Sequence, residues 1–269
     1  MVEALLEVRG LYKHFGGVVA TDRLDLAVAA GSVHALIGPN GAGKTTLVAQ
    51  ICGEVEPDDG RVLFDGGDIS GLSAHERVAA GLARSFQITC IFGNLSVRDN
   101  IALAVQARSG SSMRFWNAVA SERVLADEID GLVAELGLAA SAAQRAASLP
   151  HAEQRRLEVA LALACRPRLL LLDEPLAGMG AEEAQAMIAL IAGLKKQVTI
   201  LLVEHDMDAV FRLADVVSVL VAGRVIASGS PQAMRDDPEV RRAYLGEEEG
   251  VVSGEAGAPL AGMRPAKDA

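Results

Sequence analysis

Val33-His34-Ala35-Leu36-Ile37-Gly38-Pro39-Asn40-Gly41-Ala42-Gly43-Lys44-Thr45-Thr46-Leu47 runs from a nearly all-apolar pentad, through a glycine-rich turn, into the helical-looking segment Lys44–Cys52. The pentad has the composition of a strand covered on both faces. Gly38 to Thr45 fits G-x-x-x-x-G-K-[ST] at every defined position. Glycines let the backbone curl so that its N–H groups face phosphate oxygens, and the helix behind them presents its positive end there. Lys44 adds a mobile cation, and the Thr45 hydroxyl can ligate Mg²⁺. The chain is therefore expected to bind a nucleoside triphosphate along Gly38, Pro39, Asn40, Gly41, Ala42, Gly43, Lys44, Thr45 and Thr46.

Outward from this loop, the pattern changes by region. Leu6 and Val8, then Leu24, Leu26 and Val28, alternate with polar residues on either side of Gly16-Gly17. That period of two predicts half-buried antiparallel strands. Further strands are expected at Arg61–Phe64, Leu169–Leu172, Thr199–Val203, Val216–Val221 and Arg224–Ser228. Helical stretches at Ala181–Leu194 and Met207–Leu213 separate the middle three, which is how βαβ units around a parallel sheet read. Residues 87–165 are Ala- and Leu-rich and without strand-like runs, as expected of an inserted helical subdomain. Residues 246–269 lack apolar periodicity and are expected to be a disordered tail.

Composition narrows the possible functions. The chain has 269 residues and a formal net charge of −10, which disfavours neutralising a phosphate backbone as its main work; no nucleic-acid partner is expected. No apolar run approaches the roughly 18 residues of a membrane span, and the start has no signal-peptide pattern. Cys52, Cys90 and Cys165 are far apart and form no metal-binding spacing, which fits a reducing compartment.

A second acidic element supports the loop. Leu169-Leu170-Leu171-Leu172-Asp173-Glu174-Pro175 is a buried strand ending in two carboxylates, at the sheet edge where ligands of open α/β folds sit. Asp173 is suited to holding Mg²⁺, and Glu174 to polarising an attacking water.

Together these residues resemble the ATP-binding subunits of ABC transporters, over about Leu6 to Glu249. The resemblance implies a P-loop NTPase (RecA-like) α/β core at 1–86 and 166–245, carrying an N-terminal antiparallel β subdomain. Residues 87–165 would form the inserted α-helical subdomain, so that 1–245 make one ATPase domain. Gly81–Asn94 looks like the Q-loop region, with Gln87 contacting metal and γ-phosphate. Glu204-His205-Asp206-Met207 looks like the switch segment, with His205 on the γ-phosphate. Phe15 takes the place of the adenine-stacking aromatic. Lys13–Ala20, Gln154–Ala160, Glu204–Met207 and Asp236–Glu248 resemble branched-chain amino-acid importers in particular.

That resemblance implies ATP and Mg²⁺, integral-membrane permease subunits, and a second ATPase subunit in a heterodimer, with a homodimer as the alternative. It implies a periplasmic solute-binding protein acting indirectly, and a cytoplasmic position on the inner face of the cell membrane. A non-catalytic nucleotide-binding partner subunit and a lipopolysaccharide-export-type ATPase are the competing readings. The signature departs from the family pattern. Leu149-Pro150-His151-Ala152-Glu153-Gln154 replaces a serine with a proline that has neither hydroxyl nor N–H, and a glycine with Ala152. The amides of His151, Ala152 and Glu153 are expected to carry what remains of its grip on the opposite subunit's phosphate. Gly180 stands where Asn or Asp is usual in the D-loop.

Overall fold

A computed structural model describes residues 4–85, 91–109 and 119–245. Two long strands open the chain: β1 (Ala4–Phe15) and β2 (Val18–Ala29), joined antiparallel across Gly16-Gly17. They pair with β4 (Asp59–Phe64) and the two-residue β5 (Gly67–Asp68) in the order β2-β1-β4-β5. The second sheet has the order β10-β9-β3-β8-β7-β6. Its members are β3 (Val33–Ile37), β6 (Leu82–Ser85), β7 (Leu169–Asp173), β8 (Thr199–Val203), β9 (Val216–Val221) and β10 (Arg224–Gly229). All neighbours in it are parallel except β10, which runs antiparallel to β9.

The apolar runs are explained by this double coverage. On β7, Leu170 and Leu172 join the cluster beneath the helices, whereas Leu169 and Leu171 face α1 (Lys44–Cys52) and the antiparallel sheet. Ile200 and Leu202 of β8 face the first cluster, and Leu201 and Val203 the second. Each wholly buried leucine contributes about 1.5–3 kcal/mol, so none of these apolar positions tolerates a polar residue cheaply.

The helices are α2 (Ala74–Ala80), α3 (Val97–Ser109), α4 (Val119–Glu135), α5 (His151–Ala164), α6 (Ala181–Leu194), α7 (Met207–Leu213), α8 (Pro231–Asp236) and α9 (Pro238–Leu245). α3 packs on both α4 and α5. Sequence patterning missed β5, α2, β6, α8 and α9. Two of these had legible signals: Ser73 and Glu76 form a reciprocal capping box at α2, and Ser230 caps α8 ahead of Pro231. No helix among the described residues is long and apolar enough to cross a membrane.

Candidate nucleotide site

The glycine-rich turn leaves β3 and enters α1. A Cβ on Gly38 would lie 2.1 Å from the Leu220 carbonyl oxygen, and one on Gly43 (φ 105°) 2.1 Å from that of Ala20. Packing against β9 and β2 thus demands two of the glycines. Gly41 (φ 77°) faces open space and serves its backbone conformation. Helix α1 has no side-chain cap, so its first-turn N–H groups, which have no intrahelical acceptor, are presented to an anion. The Lys44 ammonium lies back along the loop, donating to the carbonyls of Gly38 at 2.6 Å and Pro39 at 3.0 Å.

Strand β8 lies between β3 and β7, so three neighbouring strands deliver their carboxyl ends to one place. Asp173 closes β7 almost wholly buried. Its Oδ2 accepts from Arg84 at 2.7 Å, and Arg84 also donates to Glu54 at 2.6 Å. Glu174 follows with φ 49°, a conformation that L-residues rarely hold, and its N–H donates to the Val203 carbonyl at 2.9 Å. The exposed His205 imidazole stands 4.0 Å from Glu174 Oε1 and 3.9 Å from Glu204 Oε2. Glu174 and His205 are thus brought together, with Asp173 directly before Glu174 on the same strand end.

Phe15 is 52% exposed on the β1–β2 hairpin, beside Val18 and Val19, exposed to 67% and 41%. The hairpin packs on the loop through Ala20, so this apolar patch borders the phosphate cradle. Val18 and Val19 escaped the sequence reading; a β-branched pair beside a glycine turn looks like ordinary strand. Lys13, 5.6 Å from the Phe15 ring centre, is held by Asp58. Gln87 lies outside the described residues.

The signature segment folds as the start of α5. Pro150 sits at the helix cap, and its carbonyl accepts from the N–H groups of Glu153 and Gln154, both at 3.0 Å. The Glu153 amide is therefore already engaged, contrary to the expectation that it is available. Leu149 and Ala152 are buried in the subunit, and His151 is exposed. The His151 ring lies over Gly178, where an added Cβ would meet its Cε1 at 3.5 Å. Signature and D-loop segments therefore touch within the chain.

A cavity of about 500 Å³ opens between α2, β6, α3 and α5. Val78, Leu82, Phe92, Leu103 and Leu161 form apolar walls, and Arg84 with Glu54 reaches it from the Asp173 side. Sequence reasoning found neither residue.

Comparison with known proteins agrees with this geometry. The ABC transporter family model matches residues 21–177, and a model described as branched-chain amino acid ATP-binding cassette transporter matches residues 224–250. The high-affinity branched-chain amino acid transport ATP-binding protein BraF of Pseudomonas aeruginosa is 37% identical over 92% of this chain and 100% of its own. LivG of Escherichia coli, of the same description, is 35% identical over the same shares. The lipopolysaccharide export system ATP-binding protein LptB of Acidithiobacillus ferridurans is 34% identical over 91% of this chain and 98% of its own. Among solved structures, the ADP conformation of an ATP-binding cassette of an ABC transporter superposes with a TM-score of 0.77. It is 26% identical, over 91% of this chain and 99% of that one. On fold, site and sequence together, the chain belongs to the ABC transporter family of ATP-binding proteins.

Proposed function

We propose that this chain is the ATP-binding and hydrolysing subunit of an importer for branched-chain or related amino acids. The observation that carries the reading is the convergence of Lys44, Asp173, Glu174 and His205 at the ends of β3, β7 and β8, which a merely structural nucleotide holder has no need to retain. Phe15, Val18 and Val19 offer an apolar seat for the adenine, and the uncapped α1 with Lys44 takes the phosphates.

The oxygen-only donor set of the Thr45 hydroxyl and the Asp173 carboxylate, with Gln87, suits Mg²⁺, which when bound supplies charge neutralisation on the phosphoryl oxygens. Asp173 keeps Oδ1 for this purpose while Oδ2 is held by Arg84. Glu174 orients the attacking water and draws on its proton. Lys44 balances the charge that develops on the transferred group, and His205 and Gln87 orient the γ-phosphate.

Residues 1–245 act as one ATPase domain, with 87–165 as its helical part. A second ATPase subunit completes each site through its signature helix, and membrane permease subunits dock in the cavity between α2, α3 and α5. The chain thereby works on the cytoplasmic face of the membrane, and a periplasmic binding protein delivers the solute. The relatives BraF and LivG, by name, support the solute class.

Steady-state ATPase of this chain, alone and mixed with its partner subunit, with and without Glu174→Gln, tests the reading. Activity confined to the mixture and lost with the substitution supports it. Unchanged activity in the mutant replaces it with a second reading, a subunit that binds ATP without turning it over. Pro150 bears on the other site of the dimer, to whose nucleotide it brings neither hydroxyl nor N–H.

A further inference from the structure

Glu204 has no part in the chemistry assigned above, yet it is among the most completely buried charged residues of the chain, at 1% exposure. It follows β8 directly. Its Oε1 accepts from the N–H of Leu176 at 3.0 Å, and its Oε2 from the N–H of His205 at 3.1 Å. One carboxylate therefore joins two loops that leave adjacent parallel strands. The first is Glu174-Pro175-Leu176 after β7, and the second is the His205 turn after β8.

Burial pushes the acid's pKa upward, and the backbone N–H groups of Leu176, His205 and Asp206 oppose that shift. Among the described residues no lysine or arginine pairs with it. A buried carboxylate without a cation is costly unless donors converge on it, and here the donors are the backbones of the two loops. Oε2 is also 3.9 Å from the His205 imidazole, whose other carboxylate neighbour, at 4.0 Å, is Glu174.

We propose that Glu204 is a positioning residue for ATP hydrolysis, a clamp that fixes the Glu174 loop and the His205 loop as one unit. Its consequence is a set separation between the group that orients water and the group that orients the γ-phosphate. This rests on the reading that Glu174 and His205 act in hydrolysis. The chemistry requires a carboxylate. Glutamine has nearly the same shape but only one acceptor oxygen, so its NH₂ would oppose one of the two backbone N–H donors.

The test compares wild type with Glu204→Gln in the full chain assembled with its ATPase partner, measuring steady-state ATPase and equilibrium nucleotide binding. The expected result is a kcat lowered about tenfold or more, with KM for ATP and nucleotide affinity held within about twofold. An unchanged kcat overturns the proposal, and so does a parallel loss of binding and turnover, which marks a general structural role. Amide hydrogen exchange on the wild-type chain applies even if the variant fails to fold. The Leu176 and His205 amides should open at one common rate, and independent rates overturn the clamp. A wild-type complex that binds ATP without hydrolysing it would instead defeat the functional reading, while common exchange would leave the clamp itself standing.

Discussion

Arg84 donates to Asp173 across the β6–β7 pair at 2.7 Å, with the two side chains only 8% and 3% exposed. The carboxylate expected to meet the metal is thus held by a cation on the neighbouring strand, and that cation borders the cavity between α2 and α3. Removing one partner of a buried pair leaves the other charge uncompensated, which typically costs about 3–5 kcal/mol. Arg84→Met should therefore lower unfolding stability by about that amount in urea, measured without nucleotide. Adding Asp173→Asn should recover most of the loss, because the orphaned charge is then gone. A single mutant within about 1 kcal/mol of wild type would show that the pair has no such weight.

Arg84 also marks the limit of what the chain's own order reveals. The strand–glycine loop–helix at Val33–Cys52 was readable because its determinants are contiguous: an apolar pentad, fixed glycines and a lysine. The Leu169–Leu172 run was readable for the same reason. β6 is only Leu82-Ala83-Arg84-Ser85, with no alternation, and it becomes a strand by pairing with β7 from Leu82–Leu169 to Ser85–Leu172. The meaning of Arg84 depends on a partner far along the chain that no local pattern announces. Glu204 was visible only as part of a resemblance, since its two anchors are backbone amides. Ser73 and Glu76, by contrast, spelled out a capping box that went unread.

The loop glycines are not equivalent, and the difference is measurable. At Gly41 an alanine meets only its own unfavourable φ, because nothing lies within 4 Å of the added Cβ, and the cost is about 1–2 kcal/mol. At Gly43 the same strain is compounded by a Cβ placed 2.1 Å from the Ala20 backbone oxygen, so β2 or the loop must move. Thermal unfolding should find Gly41→Ala folded and slightly weakened, and Gly43→Ala either unfolded or destabilised by several times as much. Equal losses would refute the packing argument.

Stability should also respond to pH through β3. His34 is buried there, with Nε2 2.8 Å from Ser218 Oγ, and burial pushes its pKa from 6.5 down to about 4. The unfolded chain takes up a proton below about pH 6.5, whereas the folded chain resists until about pH 4. Stability is therefore intact above that window and lost as the pH falls through it, by about 3 kcal/mol in all. Carboxylates titrate in the same range, so the useful quantity is the difference from His34→Leu. Urea unfolding at pH 7 and pH 4 should show wild type losing about 3 kcal/mol more than the variant. Parallel losses would exclude His34 as the source.

The altered signature predicts an asymmetric pair of sites. In a sandwich dimer the Lys44 loop of this chain faces the partner's signature helix, while α5 of this chain faces the partner's loop. Pro150, at the cap of α5, brings neither hydroxyl nor N–H, and the Glu153 amide is spent on the Pro150 carbonyl, so this helix start offers a phosphate less than an ordinary one. The site built on Lys44, Asp173 and Glu174 should then carry the turnover, and Glu174→Gln should abolish the activity of the mixed complex. Pro150→Ser restores a hydroxyl and an N–H at the helix start without touching the first site. Combined with Glu174→Gln, it should return measurable ATPase that now comes from the second site. If the double variant is as inactive as Glu174→Gln alone, Pro150 is not what silences that site, and the cause must be sought in the D-loop at Gly178 and Gly180.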